Sequence, residues 1–196
     1  DRVTCSGSVP GEEVAMFLSN RRTHDALKQN RLYEMLSCDP DYMDAYGLEL
    51  VAGRGFSEDY GDDVNKLVIN ETAARTLGYT DYESVIGEEI SVETIEEPMQ
   101  VIGVVKDYHQ QALNRNYTPI MLFHKDKIDW IPQRYISIVM KPGDSLELVS
   151  QISEIWTTYF ADSSFDYFFL DQFYDRQYRH CLLYTSPSPR DLSTSR

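Results

Sequence analysis

Residues 41–57 read DYMDAYGLELVAGRGFS. Asp39-Pro40-Asp41 opens a short helix, with proline close to its first turn. Tyr42, Met43 and Tyr46 give that helix an apolar face, and Gly47 stops it. A strand follows at once over Leu48 to Ala52, and Gly53-Arg54-Gly55 reads as a turn. One helical turn squeezed between strands is not the long crossover helix of a doubly wound sheet. The pattern elsewhere agrees: strands and helices mix without strict alternation, which implies an α+β fold.

Upstream, Arg2 to Ser6, Glu13 to Ser19 and Leu32 to Cys38 read as strands, and Asn20 to Asn30 as a polar loop. Downstream, strand Lys66 to Ile69 runs into Asn70, which N-caps a helix from Glu71 to Leu77 that Gly78 ends. Further strands are expected at Glu89 to Thr94, Pro98 to Lys106, Pro119 to Phe123, Arg134 to Met140 and Phe165 to Leu170. In Ser145 to Tyr159, residues Leu146, Val149, Ile152, Ile155, Trp156 and Tyr159 recur mostly at spacings of three and four, the mark of an amphipathic helix. That helix is expected to pack on a sheet containing Arg134 to Met140 and Phe165 to Leu170. A second helix begins at Asp171.

The 196 residues suffice for one mid-sized domain or two small lobes. Dense strand and turn signals divide them into a discontinuous lobe, 1–47 with 113–179, and an inserted β-rich lobe, 48–112. The inserted lobe is expected to have its own core built from Ile69, Leu77, Ile90, Val101 and Val104. The last segment, 180–196, changes composition abruptly to CLLYTSPSPRDLSTSR after His180. Back-translated, Cys181 to Asp191 fits a transposase sequencing adapter read as protein. The segment is therefore read as an adapter-derived artefact outside the fold.

Composition narrows the function. A formal net charge of −14 excludes nucleic acid as a partner, because phosphate binding needs clustered Lys and Arg. No apolar run reaches the roughly 18–20 residues of a membrane span. The chain opens on Asp1 and Arg2 without an initiator Met, and reads as a fragment whose spans lie elsewhere.

Catalytic chemistry finds no constellation: no Gly-x-Ser-x-Gly elbow, no P-loop, and no histidine near Cys5 or Cys38. A disulfide between these two cysteines and a pair of buried thiols are both open readings. The four histidines, His24, His109, His124 and His180, are scattered. Asp107 and His109 read as residues that orient a turn; Asp59, Asp62 and Asp63 read as a solvated acidic loop. The site assignment is therefore catalytic none, cofactor none and metal none, and the chain reads as not an enzyme.

Five blocks taken in order carry a resemblance. The 41–57 stretch, Val68-Ile69-Asn70-Glu71-Thr72-Ala73-Ala74 with Leu77-Gly78, and Ile86-Gly87 are three of them. The fourth is Val101-Ile102-Gly103-Val104-Val105-Lys106-Asp107-Tyr108-His109, and the fifth is Phe165-x-Tyr167-x-Phe169-Leu170-Asp171 with Trp156 and Tyr178. With Val9-Pro10-Gly11, they resemble the MacB-like periplasmic core domain of FtsX-like ABC-transporter permeases, in the variant common in Bacteroidetes-type bacteria. Glu88 stands where the family usually has Lys. The resemblance implies a porter-like α/β lobe with an inserted, mostly β lobe, at the periplasmic face of the bacterial inner membrane. It implies three partners: a second permease copy, a cytoplasmic ATPase reached through membrane helices outside this chain, and an exported substrate or periplasmic protein. The alternative function is an extracytoplasmic sensor domain of a membrane signalling protein.

Overall fold

The computed structural model describes residues 2–14, 16–24, 29–111, 115–128, 130–141, 143 and 145–185. The chain divides into two compact units, residues 1–111 with 116–139, and residues 112–115 with 140–196.

The first unit holds nine strands in one sheet: β1 Arg2–Ser6, β2 Phe17–Arg22, β3 Arg31–Cys38, β4 Leu50–Gly53, β5 Lys66–Asn70, β6 Glu89–Val92, β7 Met99–Val105, β8 Ile120–His124 and β9 Tyr135–Val139. Helix α1 (Tyr42–Ala45) lies between β3 and β4, and α2 (Glu71–Thr76) follows β5. Neighbouring strands run in the order β2-β6-β7-β5-β8-β3-β1-β9, with β4 on β7. β2 also pairs β3, with Phe17 opposite Glu34 and Asn20 opposite Arg31. The pairings therefore close a ring through β2, β6, β7, β5, β8 and β3, to which β1 and β9 are added. β3 can serve three neighbours because its first half pairs β2 and its second half pairs β8 in parallel, meeting β1 at Cys38.

Both faces of the central strands are apolar, so they read as near-continuous hydrophobic runs. Alternation sorts their residues between two clusters. Met35, Leu67, Ile69, Met121 and Phe123 enter one; Leu36, Val68, Ile120 and Leu122 enter the other. In β7 the sorting slips by one: Ile102 bulges between the pairs Leu67–Val101 and Val68–Gly103, so Val101 and Val104 both reach the first cluster.

The bulge sits where backbone crosses backbone. Gly53 has φ +65°, and a Cβ there would lie 2.2 Å from the carbonyl oxygen of Ile102. A Cβ on Gly103 would lie 2.1 Å from the carbonyl oxygen of Arg54. Each glycine admits the other strand's backbone. The Arg54 N–H then donates to the Ile102 carbonyl at 2.9 Å, so Gly53-Arg54-Gly55 extends the β4–β7 pairing instead of making the expected turn.

The Asn70 side chain caps α2 as expected, its Oδ1 accepting from Ala73 N at 2.9 Å. The same oxygen accepts from Ile120 N at 3.0 Å, and the Asn70 amide donates to the Thr118 carbonyl at 2.8 Å, joining the helix start to β8. Tyr79 N to Ala74 O and Gly78 N to Arg75 O close the helix end as a Schellman motif.

Further expectations are corrected. Residues 48–112 do not form a lobe with its own core: Ile69, Leu77, Ile90, Val101 and Val104 are buried, but in a cluster shared with Tyr33, Met35, Met121 and Phe123. The reason is pairing, since β8 inserts between β5 and β3 and knits the stretch to its flanks. The second strand lies at Phe17–Arg22, not Glu13 to Ser19; backbone bonds to β3 and β6 hold it despite its polar side chains.

In the second unit α3 (Ser145–Tyr159) matches its periodicity. Phe165 to Phe169 is not a strand, and Leu170 opens helix α4 (Leu170–Thr185). The aromatic alternation there is met by ring contacts, Phe165 on Tyr167 at 5.6 Å and Tyr167 on Phe169 at 5.8 Å. α4 also runs through Thr185, across the boundary drawn at residue 180; residues 186–196 lie outside the described residues.

Gly103→Ala is expected to lower stability by about 2–3 kcal/mol, the cost of overpacking a filled site. Gly61→Ala, whose Cβ would meet nothing within 4 Å, should stay within about 0.5 kcal/mol of wild type. Urea unfolding of the two variants checks the pair; equal midpoints would contradict the close crossing.

Candidate functional site

The 41–57 stretch surrounds a groove of about 410 Å³ in the first unit. Pro40 and Asp41 lead into α1, which supplies Met43 and Asp44; the turn and β4 supply Leu48 and Leu50; the segment beyond the glycine crossing supplies Gly55, Phe56, Ser57 and Glu58. Met43 and Phe56 are buried, and Leu50 is 42% exposed. A Cβ on Gly55 would lie 2.2 Å from Met43 Cε, so the missing side chain makes room for that methionine.

The groove wall is fixed from behind. Arg54 donates two hydrogen bonds to Asp63, both 2.7 Å, and stacks over the Tyr60 ring at 4.0 Å. Asp63 Oδ2 also accepts from Ser57 N at 2.9 Å. Burial pushes the Asp63 carboxyl up, but the bonds from Arg54 and Ser57 outweigh it and hold it below the ordinary aspartate value. Asp63 is thus a buried anchor and not, as expected, part of a solvated acidic loop; Asp59 and Asp62 do stay exposed.

Asp107 does orient a local element, though the element is α2. Its Oδ1 accepts from Thr72 N at 2.9 Å and its Oδ2 from Thr72 Oγ1 at 2.8 Å, with Arg75 donating as well. Glu71 returns the contact, accepting from Asp107 N at 3.0 Å. His109 lies against Tyr117, ring centres 4.7 Å apart, and its carbonyl accepts from Gly11 N at 3.1 Å. Sequence reasoning missed the neighbouring buried polar group. The Gln110 amide donates to Val9 O at 2.8 Å, Glu12 O at 3.1 Å and Ser8 Oγ at 3.2 Å. Gln111 donates to buried Glu34, whose carboxyl burial pushes up. A charged residue inside the apolar run of β3 was the signal available for it.

Cys5 and Cys38 are both free. Ser6, not Cys5, stands opposite Cys38, so the two side chains leave opposite faces of the sheet. Burial, then the Asp39 carboxylate, push the Cys5 thiol up to about 11; burial also pushes the Cys38 thiol well above its ordinary value. Neither thiol is primed as a nucleophile. Among the described residues no group of three or more His, Cys, Asp or Glu could hold a metal ion. Among them also, no helix is long and apolar enough to cross a membrane.

The model of the MacB-like periplasmic core domain family matches residues 2–154. No curated protein sequence matches the chain. The solved structures similar to the chain include three at low identity, and the likeness is one of fold. The periplasmic region of MacB from Actinobacillus actinomycetemcomitans is 16% identical with TM-score 0.61, over 96% of this chain and 78% of that one. A domain of a permease protein from Porphyromonas gingivalis is 18% identical with TM-score 0.54, over 83% and 85%. The extracellular domain of the noncanonic ABC-type transporter YknZ from Gram-positive bacteria is 16% identical with TM-score 0.59, over 83% and 78%.

Two outcomes are expected. Asp63→Asn should destabilise at pH 7. Because the folded Asp63 carboxyl titrates below its unfolded value of about 3.9, its contribution is present above that pH and lost as pH falls through the folded value. The gap between variant and wild type should therefore narrow below about pH 4 in pH-dependent unfolding. Secondly, peptide mapping under non-reducing conditions should recover Cys5 and Cys38 unlinked. Cys5 should alkylate slowly at pH 8.5, with roughly a hundredfold less thiolate than a free cysteine of pKa about 9.

Proposed function

Because this chain belongs to the MacB-like periplasmic core domain family, we propose that it is the non-catalytic extracytoplasmic part of an ABC-transporter permease, coupling cytoplasmic ATP hydrolysis to substrate export or to control of a partner protein. The family match over residues 2–154 carries this reading and favours it over a sensor domain. The residues of the matching blocks support it. Gly53, Gly103, Asn70 and Asp107 serve backbone crossing and helix capping, and Arg54 with Asp63 serves loop anchoring. These are the tasks of a part that must transmit force without deforming.

In this reading the full-length permease is anchored in the inner membrane, its domain faces the periplasm, and two copies act together. The ATPase binds the far side of the membrane, so hydrolysis is remote from every residue here. The domain's work is differential contact: it must hold its partner or substrate differently in the two nucleotide states, since a ligand shifts an equilibrium only through unequal affinity.

Reconstituting the intact permease with its ATPase tests the proposal. Removing this domain should leave basal ATP hydrolysis but abolish its stimulation by substrate or periplasmic partner. Stimulation that survives the deletion would overturn the coupling role. The isolated chain should hydrolyse no ATP above buffer.

A further inference from the structure

Glu34 is a carboxyl group set in an apolar place. It lies within β3 and is 1% exposed, with Phe17 of β2 opposite it on one side and Ile120 of β8 on the other. Its Oε1 accepts from the Gln111 amide, while its Oε2 is buried with no hydrogen-bond partner among the described residues. Among those residues no cation pairs with it. The connection from β7 to β8 brings it only the neutral side chains of Gln111 and Thr118, and the segment before β2 brings Glu13, a charge of its own sign. A buried carboxylate with a bare oxygen and no counter-ion is costly, whereas a neutral carboxyl in the same place costs far less.

Two events relieve that cost. A proton can neutralise the group where it stands, or Gln111 and Thr118 can draw back so that water reaches the carboxylate. We infer that Glu34 is a proton-operated tie: protonated, it holds β3 against Gln111 and Thr118, and ionised, it releases them. Its position gives the release consequences. Gln111 adjoins Gln110, whose amide holds the Val9 and Glu12 carbonyls, and the same connection starts at Asp107, which holds the first turn of α2. The domain therefore stiffens at these contacts as its surroundings acidify. Burial raises the Glu34 carboxyl above its ordinary value, against smaller opposite effects of Gln111 and Thr118. Because the folded value lies above the unfolded value of about 4.3, the folded state holds the proton more tightly, and stability falls as pH rises through the folded value. The tie needs nothing of the transport role, so either can fail without the other.

The experiment is a carboxyl-carbon NMR titration of the 196-residue chain, followed by amide exchange. The Glu34 carboxyl should titrate above about 4.3. Glu13→Gln, a change at an exposed position that removes the like charge, should lower its midpoint; Gln111→Ala, which removes the donor, should raise it. Glu34→Gln stands in for the protonated form. Its thermal midpoint should exceed that of wild type by about 2–4 °C at pH 7, and the gap should close by about pH 4. For amides of residues 106–111, the exchange rate of wild type divided by that of Glu34→Gln should climb from about one at pH 4.5 to about threefold at pH 7.5. Division by the variant cancels the intrinsic pH dependence of exchange, and a merely structural glutamate would leave the ratio level. A Glu34 midpoint at or below about 4.3 would overturn the inference. So would a level exchange ratio, or a Glu34→Gln variant less stable than wild type at pH 7.

Discussion

The crossing of two backbones at Gly53 and Gly103 is the constraint on which the rest depends. With Cβ positions 2.2 and 2.1 Å from carbonyl oxygens, no side chain fits at either place. That contact joins β4 to β7 and coincides with the bulge at Ile102, which decides which β7 residues face which core. It also aims the chain beyond Gly53. Arg54 leaves the crossing towards Asp63, and Phe56 and Ser57 leave it towards α1. The groove exists because a strand, a one-turn helix and a loop are all tied to that point.

A second feature follows from the sheet itself. Its central strands bury both faces, so polar demands are met at strand ends, by side chains that tie one element to another. Asn70 joins α2 to β8, and Asp107 joins the end of β7 to the start of α2. Gln110 joins the same connection to the Ser8 to Glu12 turn. Each removes a buried donor that would otherwise cost about 1–3 kcal/mol.

Much of this was legible in the sequence, for local reasons. Asn70 before an Ala-rich turn, Gly78 after it and the spacing in Ser145 to Tyr159 each state their element within a few residues. What was not legible depended on long-range pairing. The polar strand Phe17–Arg22 is specified by β3 and β6 and not by its own side chains. The apparent lobe at 48–112 vanished because β8, remote in sequence, pairs both β5 and β3. Asp63 looked solvated because its partner Arg54 is brought up by the glycine crossing. The groove was hidden likewise: most of its residues fall in the block 41–57, with Pro40 and Glu58 just outside it, but their convergence depends on the fold.

Native-state hydrogen exchange would test the central claim, that the 48–112 stretch is integral to one sheet. Amides of β5 and β7 should exchange with the same opening free energy as those of β3 and β8, because ring pairing makes them one cooperative unit. If β4 to β7 opened together at distinctly lower free energy while β3 and β8 stayed protected, the stretch would be a separate lobe, and the account built on the crossing would be contradicted.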